Sequence, residues 1–444
     1  MSLPLRLITI LLLAALSCQI ALADNKQPPA DEIPTDLLDY VARPEPVFSW
    51  KLAGKQQINQ GMLYRIELVS QTWQNIVWKH VLHIHEPVNL RHPKHVLLYV
   101  QGGSNGRQPG RGAIEHGLGL AELAGARVAM LYQVPNQPLL GGHKEDDLIT
   151  ETWLRYLDSG DPTWPLLFPM VKSAVKAMDA IEALSQSVWN QPVKGFVITG
   201  GSKRGWTSWL TPVADSRVIA TAPIVIDVLN FLPQMKHQID TWGAHSEQID
   251  AYTRKGLVKQ AADETPRDAQ LRRMMDPYTY RSLLPLPKLL INGTNDRYWV
   301  VDAMKLYWHD LSGPKYVLQV PNAGHSLKGG RELALRTLAA FFQHVVTETP
   351  LPVVEWNYAD TPSGGIRLEL ETSAEPRAVR FWTANSPTKD FREATWRSRL
   401  LEASSQQFVG EEPRPKAGHL AVYGELEYEF EGLRYSLATL IRRE

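Results

Sequence analysis

Short apolar runs and amphipathic segments follow one another along the middle of the chain, from about residue 95 to residue 347. Runs rich in Val, Ile, Leu and Phe are typical of buried parallel strands. They occur at 95–100, 127–132, 196–198, 217–228, 288–291 and 315–320. Segments with helical spacing lie between or after them, at 118–124, 169–188, 206–210 and 331–347. This alternation predicts an α/β fold with a doubly wound, mostly parallel sheet.

Two other segments depart from the alternation. A pair of strands is predicted at 64–73 and 76–85, with Gln74 and Asn75 near the turn. Residues 229–285 are mixed in character, mostly helical and without a strand, and they interrupt the sheet. We interpret this insertion as a helical cap over the ends of the strands.

The pattern changes again after Pro350. Apolar residues alternate with charged or polar ones in three stretches within 366–437, and Pro, Gly and Asp separate the stretches. Period-2 patterning without a helix predicts a small β-sandwich-like domain at 351–444. The α/β domain then spans 39–350.

The N-terminal segment has the composition of an export signal. One Arg precedes an apolar run at 7–16, and small residues at 21–23 predict cleavage after Ala23, which makes 1–23 a signal peptide and 24–38 a loose leader. The run is too short for a stable membrane span. Lipidation at Cys18, which ends a weak lipobox, is the alternative. We expect an exported protein, periplasmic or secreted, without a transmembrane anchor in its mature form.

Composition narrows the function classes. The 47 basic residues balance the 47 acidic ones, which argues against a nucleic-acid partner. Cys18 is the only cysteine, so neither a thiol nucleophile nor a thiolate metal site is expected. The 14 Trp residues suit large cores or an aromatic-lined cleft. We expect a small-molecule or peptide substrate and no cofactor, and the oligomeric state stays open.

Residues 193–210, with the sequence VKGFVITGGSKRGWTSWL, contain the most informative local pattern. A β-favouring run leads into a glycine turn, then Ser202, then a segment that can continue as a helix. This is the context of a nucleophile elbow, which exposes a serine hydroxyl at the carboxyl edge of a sheet. The usual spacing is G-x-S-x-G, whereas here Arg204 holds the second small position and Gly205 follows it. A serine that only caps a helix is the alternative.

Two later strand ends carry partners for this serine. Asp296 lies in a Gly-Thr-Asn-Asp turn after one predicted strand, and His325 follows the next predicted strand. A parallel sheet brings its carboxyl-end loops together, so Ser202, Asp296 and His325 are predicted to converge as nucleophile, acid and base. Asp227, near the end of the strand after the elbow, is the alternative acid.

Backbone donors for a developing oxyanion have two candidate sources. One is the N–H group of Lys203, and the other is the loop with Gly102, Gly103 and Ser104 after the first predicted parallel strand. The side chains of Lys203 and Arg204 would favour a substrate with a nearby anion. The alternative is that Arg204 pairs with a buried acid and holds the elbow.

Two clusters are candidates for ion binding. His80, His83 and His85 lie on one predicted strand, but no further ligand is spaced to complete a metal site, so ordinary surface histidines are the preferred interpretation. The three acids of the HKEDD segment at 143–147 are more typical of a solvated helix start than of a cation site. The sequence therefore predicts no metal site.

Six short motifs are spread along the chain. They are QGG at 101–103, WPLLFPM at 164–170, AMD at 177–179, GGSKRGWTSW at 200–209, WTANS at 382–386 and DFR at 390–392. Together they resemble the PhoPQ-activated pathogenicity-related proteins, exported relatives of the α/β-hydrolases, from about residue 39 to the end. The resemblance implies an α/β-hydrolase fold for 39–350 and a serine hydrolase site, but it implies no substrate.

A weaker resemblance is to glucuronoyl esterases, which place Arg directly after the serine where this chain has Lys203. The preferred function is an exported serine hydrolase that cleaves an ester or amide bond, peptides included, through an acyl-enzyme on Ser202. One alternative is a binding or signalling protein that keeps the fold with little turnover. The other is a carbohydrate esterase similar to the glucuronoyl esterases.

Overall fold

The computed structural model describes residues 33–58, 61–404 and 407–444. The predicted signal peptide with Cys18 and Ala23, and the leader as far as residue 32, lie outside the described residues. Helix α1 (Asp36–Ala42) begins inside the leader predicted for 24–38. The prediction of a loose segment is wrong for these last positions, because Leu37 and Tyr40 pack into the core.

A nine-stranded mixed sheet forms the centre of the described chain. Its strands are β1 (Ser49–Ile58), β2 (Gly61–Trp73), β3 (Ile76–Pro87), β4 (His95–Val100), β5 (Arg127–Leu131), β6 (Gly195–Gly201), β7 (Val218–Ile224), β8 (Lys288–Gly293) and β9 (Lys315–Val320). Their spatial order is β1-β2-β3-β5-β4-β6-β7-β8-β9. Neighbours are antiparallel from β1 to β5 and parallel from β5 to β9. The predicted α/β-hydrolase fold is confirmed.

Helices cover both faces of this sheet. After α1 come α2 (Arg111–Ala124), α3 (Glu145–Ser159), α4 (Leu167–Leu184), α5 (Lys203–Ala214), α6 (Phe231–Trp242), α7 (Asp250–Thr253), α8 (Pro266–Met275) and α9 (Arg331–Val346). Helix α2 contacts α9, whereas α1, α4 and α5 pack together. Two cores result, because side chains alternate along a strand: in β4, Val96 and Leu98 enter one and Leu97 the other. No helix within the described ranges is long and apolar enough to cross a membrane.

The antiparallel side of the sheet contains one predicted element and one that the pattern does not predict. Strands β2 and β3 pair through a tight turn in which Gln74 and Asn75 have φ of 48° and 62°. Positive φ at both positions is what such a hairpin turn requires. Strand β1 is an edge strand with the polar sequence SWKLAGKQQI, and most of its positions are exposed or half-exposed, so it has no clear apolar stripe.

The predicted cap lies between β7 and β8. It contains α6, α7 and α8 with 3₁₀ turns at Glu247–Ile249, Ala261–Asp263 and Pro277–Leu283. The buried carboxylate of Asp276 accepts hydrogen bonds from the N–H groups of Asn230, Phe231 and Tyr278, at 3.1, 2.8 and 2.9 Å. One side chain therefore joins the beginning of the cap to its end.

Two antiparallel sheets follow α9. Their strands are β10 (Val354–Asp360), β11 (Ile366–Thr372), β12 (Ala378–Ser386), β13 (Arg397–Leu401), β14 (Ala403–Ser404), β15 (Gln407–Glu412), β16 (His419–Phe430), β17 (Leu433–Ala438) and β18 (Arg442–Arg443). The first sheet has the order β10-β11-β15-β14, and the second β13-β12-β16-β17 with β18 beside β16. The sheets face each other, since a Cβ on Gly424 would lie 2.8 Å from Leu370. They share a core with α9, and residues 33–444 form one compact unit.

Candidate active site

Ser202 lies at a sharp turn between β6 and α5. Its φ of 56° and ψ of −123° fall outside the regions that L-residues usually occupy. Hydrogen bonds hold the turn on both sides: Ser202 N–H donates to the carbonyl of Ile224 and Trp206 N–H donates to the carbonyl of Ser202, each at 2.9 Å. Strain at a serine between a buried strand and a helix is a feature of nucleophile elbows.

The structure explains the shifted glycine in the elbow. A Cβ on Gly200 would lie 2.7 Å from the backbone of Arg204, and a Cβ on Gly205 would lie 2.8 Å from the carbonyl oxygen of Gly200. A Cβ on Gly205 would also lie 2.6 Å from the side chain of Ile226. The close approach of helix and strand therefore occurs at 200 and 205, so position 204 can carry a long side chain.

The structure brings Ser202, His325 and Asp296 together. Oγ of Ser202 lies 2.9 Å from Nε2 of His325, and Nδ1 of His325 lies 2.8 Å from Oδ2 of Asp296. The other carboxylate oxygen of Asp296 accepts a 2.9 Å hydrogen bond from Tyr298 N–H. The ring of Tyr298 lies against that of His325, with centroids 4.2 Å apart. The sequence indicated the three residues but gave no reason to expect Tyr298.

The alternative acid, Asp227, has a different partner. It follows β7 and accepts a hydrogen bond from the hydroxyl group of Tyr307. Burial raises the pKa of Asp227 to about 7, against the lowering effect of that hydroxyl group. The histidine nitrogen is bonded to Asp296, so the structure separates the two candidate acids.

The proposed oxyanion donors lie on two neighbouring segments. Lys203 is the first residue of α5, and N–H groups in the first turn of a helix have no acceptor within the helix. The loop with Gly102, Gly103 and Ser104 follows β4 directly. A Cβ on Gly102 would lie 2.6 Å from the guanidinium of Arg204, so the loop packs against the elbow helix.

Both cationic side chains of the elbow are paired. Arg204 donates two hydrogen bonds to Glu145, at 2.7 and 2.8 Å, and one to the carbonyl of Val134, at 2.6 Å. Nζ of Lys203 lies 2.7 Å from a carboxylate oxygen of Asp146. Burial alone would raise the pKa of Glu145, but the hydrogen bonds from Arg204 lower this pKa to about 2. This is the arrangement predicted as the alternative for Arg204.

The acidic segment at 143–147 does begin a helix, but all three of its acids have cationic partners, and Asp147 binds Lys255 at 2.8 Å. Glu145 and Asp146 open α3 and bind the side chains of residues 203 and 204. The expectation of a solvated helix start is wrong for them. Their partners are nearly 60 residues away in sequence, and no local pattern reveals such a pairing.

The C-terminal sheets reach the loops that hold the acid and the histidine. The side-chain amide of Asn295, next to Asp296, donates to the carbonyls of Ala394 and Arg392 at 2.7 and 3.2 Å. Asn322, three residues before His325, exchanges two hydrogen bonds with the backbone of Trp396, at 3.0 and 2.7 Å. The segment between β12 and β13 therefore fastens both loops.

The three histidines of β3 are buried and are not surface residues. His80 bonds to Ser70 and the Tyr132 carbonyl at 2.9 and 3.1 Å, and His85 to a backbone carbonyl at 3.2 Å. Burial lowers the pKa of His80, His83 and His85 to about 4 each. The surface interpretation is wrong because β3 is an inner strand. The described residues contain no group of His, Cys, Asp and Glu that could hold a metal ion.

A cavity of about 110 Å³ adjoins Ser202 and His325 and extends into the cap. Its walls are mostly apolar, and they include Trp153, Trp206, Val228, Phe231, Leu232 and Met235. The rings of Trp153 and Trp206 meet edge to face with centroids 6.0 Å apart. The indole N–H of Trp206 donates to the carbonyl of Met275 at 2.7 Å, which fixes that wall.

Comparison with known families gives one match that covers most of the chain. The model of the family described as PhoPQ-activated pathogenicity-related protein matches residues 37–392. Autocrine proliferation repressor protein A of Dictyostelium discoideum is 33% identical in an alignment of 379 residues that covers 81% of this chain and 76% of that protein.

Solved structures give more distant likenesses. Acetyl xylan esterase 1 from Thermoanaerobacterium sp. is 16% identical, with a TM-score of 0.47 over 70% of this chain and 95% of that one. An acetyl xylan esterase from Paenibacillus sp. R4 is 14% identical, with a TM-score of 0.48 over 70% and 96%. A glucuronoyl esterase from Solibacter usitatus is 12% identical, with a TM-score of 0.45 over 70% and 91%.

Proposed function

Since the chain belongs to the family of PhoPQ-activated pathogenicity-related proteins, we propose that it is a serine hydrolase that cleaves an ester or amide bond through an acyl-enzyme on Ser202. The observation that carries the proposal is the chain of hydrogen bonds from Ser202 through His325 to Asp296, at 2.9 and 2.8 Å. A serine hydroxyl group is a weak nucleophile unless a positioned base removes its proton. This arrangement supplies that base and orients it.

The reaction begins with proton transfer from Oγ of Ser202 to Nε2 of His325. Oγ forms a bond to the substrate carbonyl carbon, and the carbonyl π electrons move to the oxygen. When this tetrahedral intermediate collapses, the bond to the leaving group breaks and the histidine returns its proton to that group. Water then attacks the acyl-enzyme by the same sequence and releases the acid and Ser202.

Asp296 acts through the histidine. Its carboxylate accepts from Nδ1, which keeps Nε2 free to take the serine proton and stabilises the imidazolium once it forms. The tetrahedral oxyanion is assigned to the N–H of Lys203 and an N–H of the loop at 102–104. Neither cationic side chain of the elbow is needed for that task.

The paired elbow cations argue against selection of an acidic substrate. Arg204 is bound to Glu145 by two hydrogen bonds and Lys203 to Asp146. A substrate carboxylate would have to displace one of these acids. For that reason we propose a general ester or amide hydrolase and not a glucuronoyl esterase.

A second candidate is a binding or signalling protein. The observation that favours it is the name of the Dictyostelium relative, which describes repression of proliferation. The two candidates differ in whether Ser202 turns over a substrate.

Hydrolysis of 4-nitrophenyl butyrate by purified protein tests the proposal. Ser202→Ala should abolish turnover and leave the fold intact, because it removes one atom. Ser208→Ala is the matched control: Ser208 lies on α5 and its hydroxyl bonds only within that helix, to the Arg204 carbonyl at 2.8 Å. Equal turnover in the wild type and Ser202→Ala would refute the proposal.

A further inference from the structure

The cavity beside Ser202 offers no free charge to a substrate. Every charged side chain that lines it has an ionic partner of opposite sign in the described structure. The pairs are Lys203 with Asp146, Lys259 with Asp268 and Arg272 with Glu264, each at 2.7 Å. An ionic group that entered would lose its hydration without gaining a free counter-charge, and that is unfavourable.

Most of the remaining lining is apolar and comes from several parts of the fold. Helix α3 contributes Trp153, the end of β7 contributes Ile226, and the cap contributes Phe231, Met235 and Leu271. Ring contacts continue the wall, since Trp206 meets Phe231 with centroids 5.6 Å apart. Such walls favour uncharged groups through removal of apolar surface from water.

The size of the cavity limits the group that it holds. An apolar cavity of about 150 Å³ holds a benzene ring, so a cavity of about 110 Å³ takes a group of roughly four to six non-hydrogen atoms. Ser202 and His325 belong to the lining of the cavity. A group inside it is therefore attached close to the reacting carbonyl.

We infer that the substrate is an ester or amide that carries an uncharged apolar group, of roughly four to six non-hydrogen atoms, next to the scissile bond. This inference rests on the proposed function and names its substrate class. In this inference the cap selects that group, through α6 and the 3₁₀ turn at Glu247–Ile249. Acetyl esters and esters of sugar acids fill the cavity poorly.

Chain-length series measure this selectivity. In one series, 4-nitrophenyl esters run from acetate to dodecanoate, and in a second, butyrate is joined to alcohols of one to ten carbons. A methylene group moved into an apolar site changes kcat/KM by about four-fold. In one of the two series kcat/KM should rise by roughly two orders of magnitude over four added carbons, then level off or fall beyond about six carbons.

A variant that fills the cavity provides an independent test. Leu232 lines the cavity on α6, whereas Ile239 on the same helix is 42% exposed and lies outside the lining. Leu232→Trp should lower the hexanoate-to-acetate ratio of kcat/KM at least ten-fold, or the equivalent ratio in the alcohol series. Ile239→Trp should keep the wild-type ratio.

Labelling of Ser202 by a small fluorophosphonate, measured on the same samples, distinguishes a failure of the substrate class from a failure of the hydrolase assignment. Labelled protein whose kcat/KM is flat or falls from acetate onward in both series would overturn the substrate class and leave the hydrolase assignment standing. Protein that is neither labelled nor active on any ester would overturn both.

Discussion

The ends of β7 and β8 present two aspartates to the same edge of the sheet, and they serve different purposes. The strands are parallel neighbours, and Asp227 and Asp296 are 5% and 6% exposed. Asp296 accepts from His325 and from the N–H of Tyr298. Asp227 accepts from the hydroxyl of Tyr307, with the carboxylates of Asp296 and Asp302 nearby.

The difference shows that burial alone does not make a carboxylate an acid–base partner. Asp296 faces an imidazole that becomes a cation during the proposed reaction, so its negative charge is useful there. Asp227 has a neutral donor and like charges around it, and burial raises its pKa to about 7. The chemistry follows from the side chains that neighbouring loops bring to each strand end.

The largest expected effect comes from exchanging the two acids separately for their amides. Asp296→Asn should lower kcat by roughly four orders of magnitude, because the amide favours the wrong histidine tautomer. Asp227→Asn should keep kcat within a few-fold of the wild type. Steady-state kinetics on a generic ester decides between them, and a large loss in Asp227→Asn with little loss in Asp296→Asn would reverse the assignment.

A smaller effect is expected when the loop of Asp296 is released from the C-terminal sheets. Asn295→Ala removes the amide that donates to the carbonyls of Ala394 and Arg392. A misplacement of about 1 Å at a reacting group costs up to about 100-fold, so kcat should fall ten- to one-hundred-fold. Asn385→Ala, at an exposed position of β12, should have no effect. Wild-type kcat in a folded Asn295→Ala protein would show that the sheets do not position the acid.

At the end of β7, removal of the hydroxyl group of Tyr307 should lower stability and leave catalysis nearly unchanged. Tyr307→Phe leaves Asp227 buried without its donor, which costs about 1–3 kcal/mol of unfolding free energy. We expect kcat within about three-fold of the wild type, since Tyr307 bonds to the aspartate that does not touch His325. Urea unfolding and ester hydrolysis on the same preparation test both statements. A loss of kcat above ten-fold at unchanged stability would contradict them.

The finest test uses the pKa of Asp227. Its folded-state value of about 7 lies above the unfolded value of about 3.9, so between these pH values the folded protein binds the additional proton. Its contribution to stability is full below about pH 4 and is lost as pH rises through 7, at up to about 1.4 kcal/mol per pH unit. Wild type should therefore lose stability relative to Asp227→Asn over this window. Parallel pH profiles of the two proteins would exclude the raised pKa.

The alternation of strands and helices and the three residues that follow the strands could be predicted from the sequence because both follow from local pattern. Apolar runs mark the inner strands, and a parallel sheet gathers the residues that follow them, however far apart they are in the chain. Ser202 follows β6 directly, and Asp296 and His325 lie in the loops after β8 and β9. The sequence also shows that Arg204 holds a position that is usually small. It does not show why a long side chain fits there.

What the sequence could not reveal depends on contacts between distant segments. The pairing of Arg204 with Glu145 and the hydrogen bonds of Asn295 to residues 392 and 394 join elements that no local pattern relates. Strand β1 lacks an apolar stripe because it lies at an edge and is largely exposed. Asp227 and Asp296 look equivalent in sequence, since Tyr307 and Tyr298 reach them only in the folded chain.

The most direct test of the central claim, that Ser202 is an activated nucleophile, is to react the purified protein with a fluorophosphonate and locate the adduct by peptide mass spectrometry. The account predicts one adduct, on Ser202, which is absent from Ser202→Ala and formed much more slowly in Asp296→Asn but at a near-wild-type rate in Asp227→Asn. No adduct on Ser202 in folded wild-type protein, or equal labelling rates in the wild type and Asp296→Asn, would contradict it.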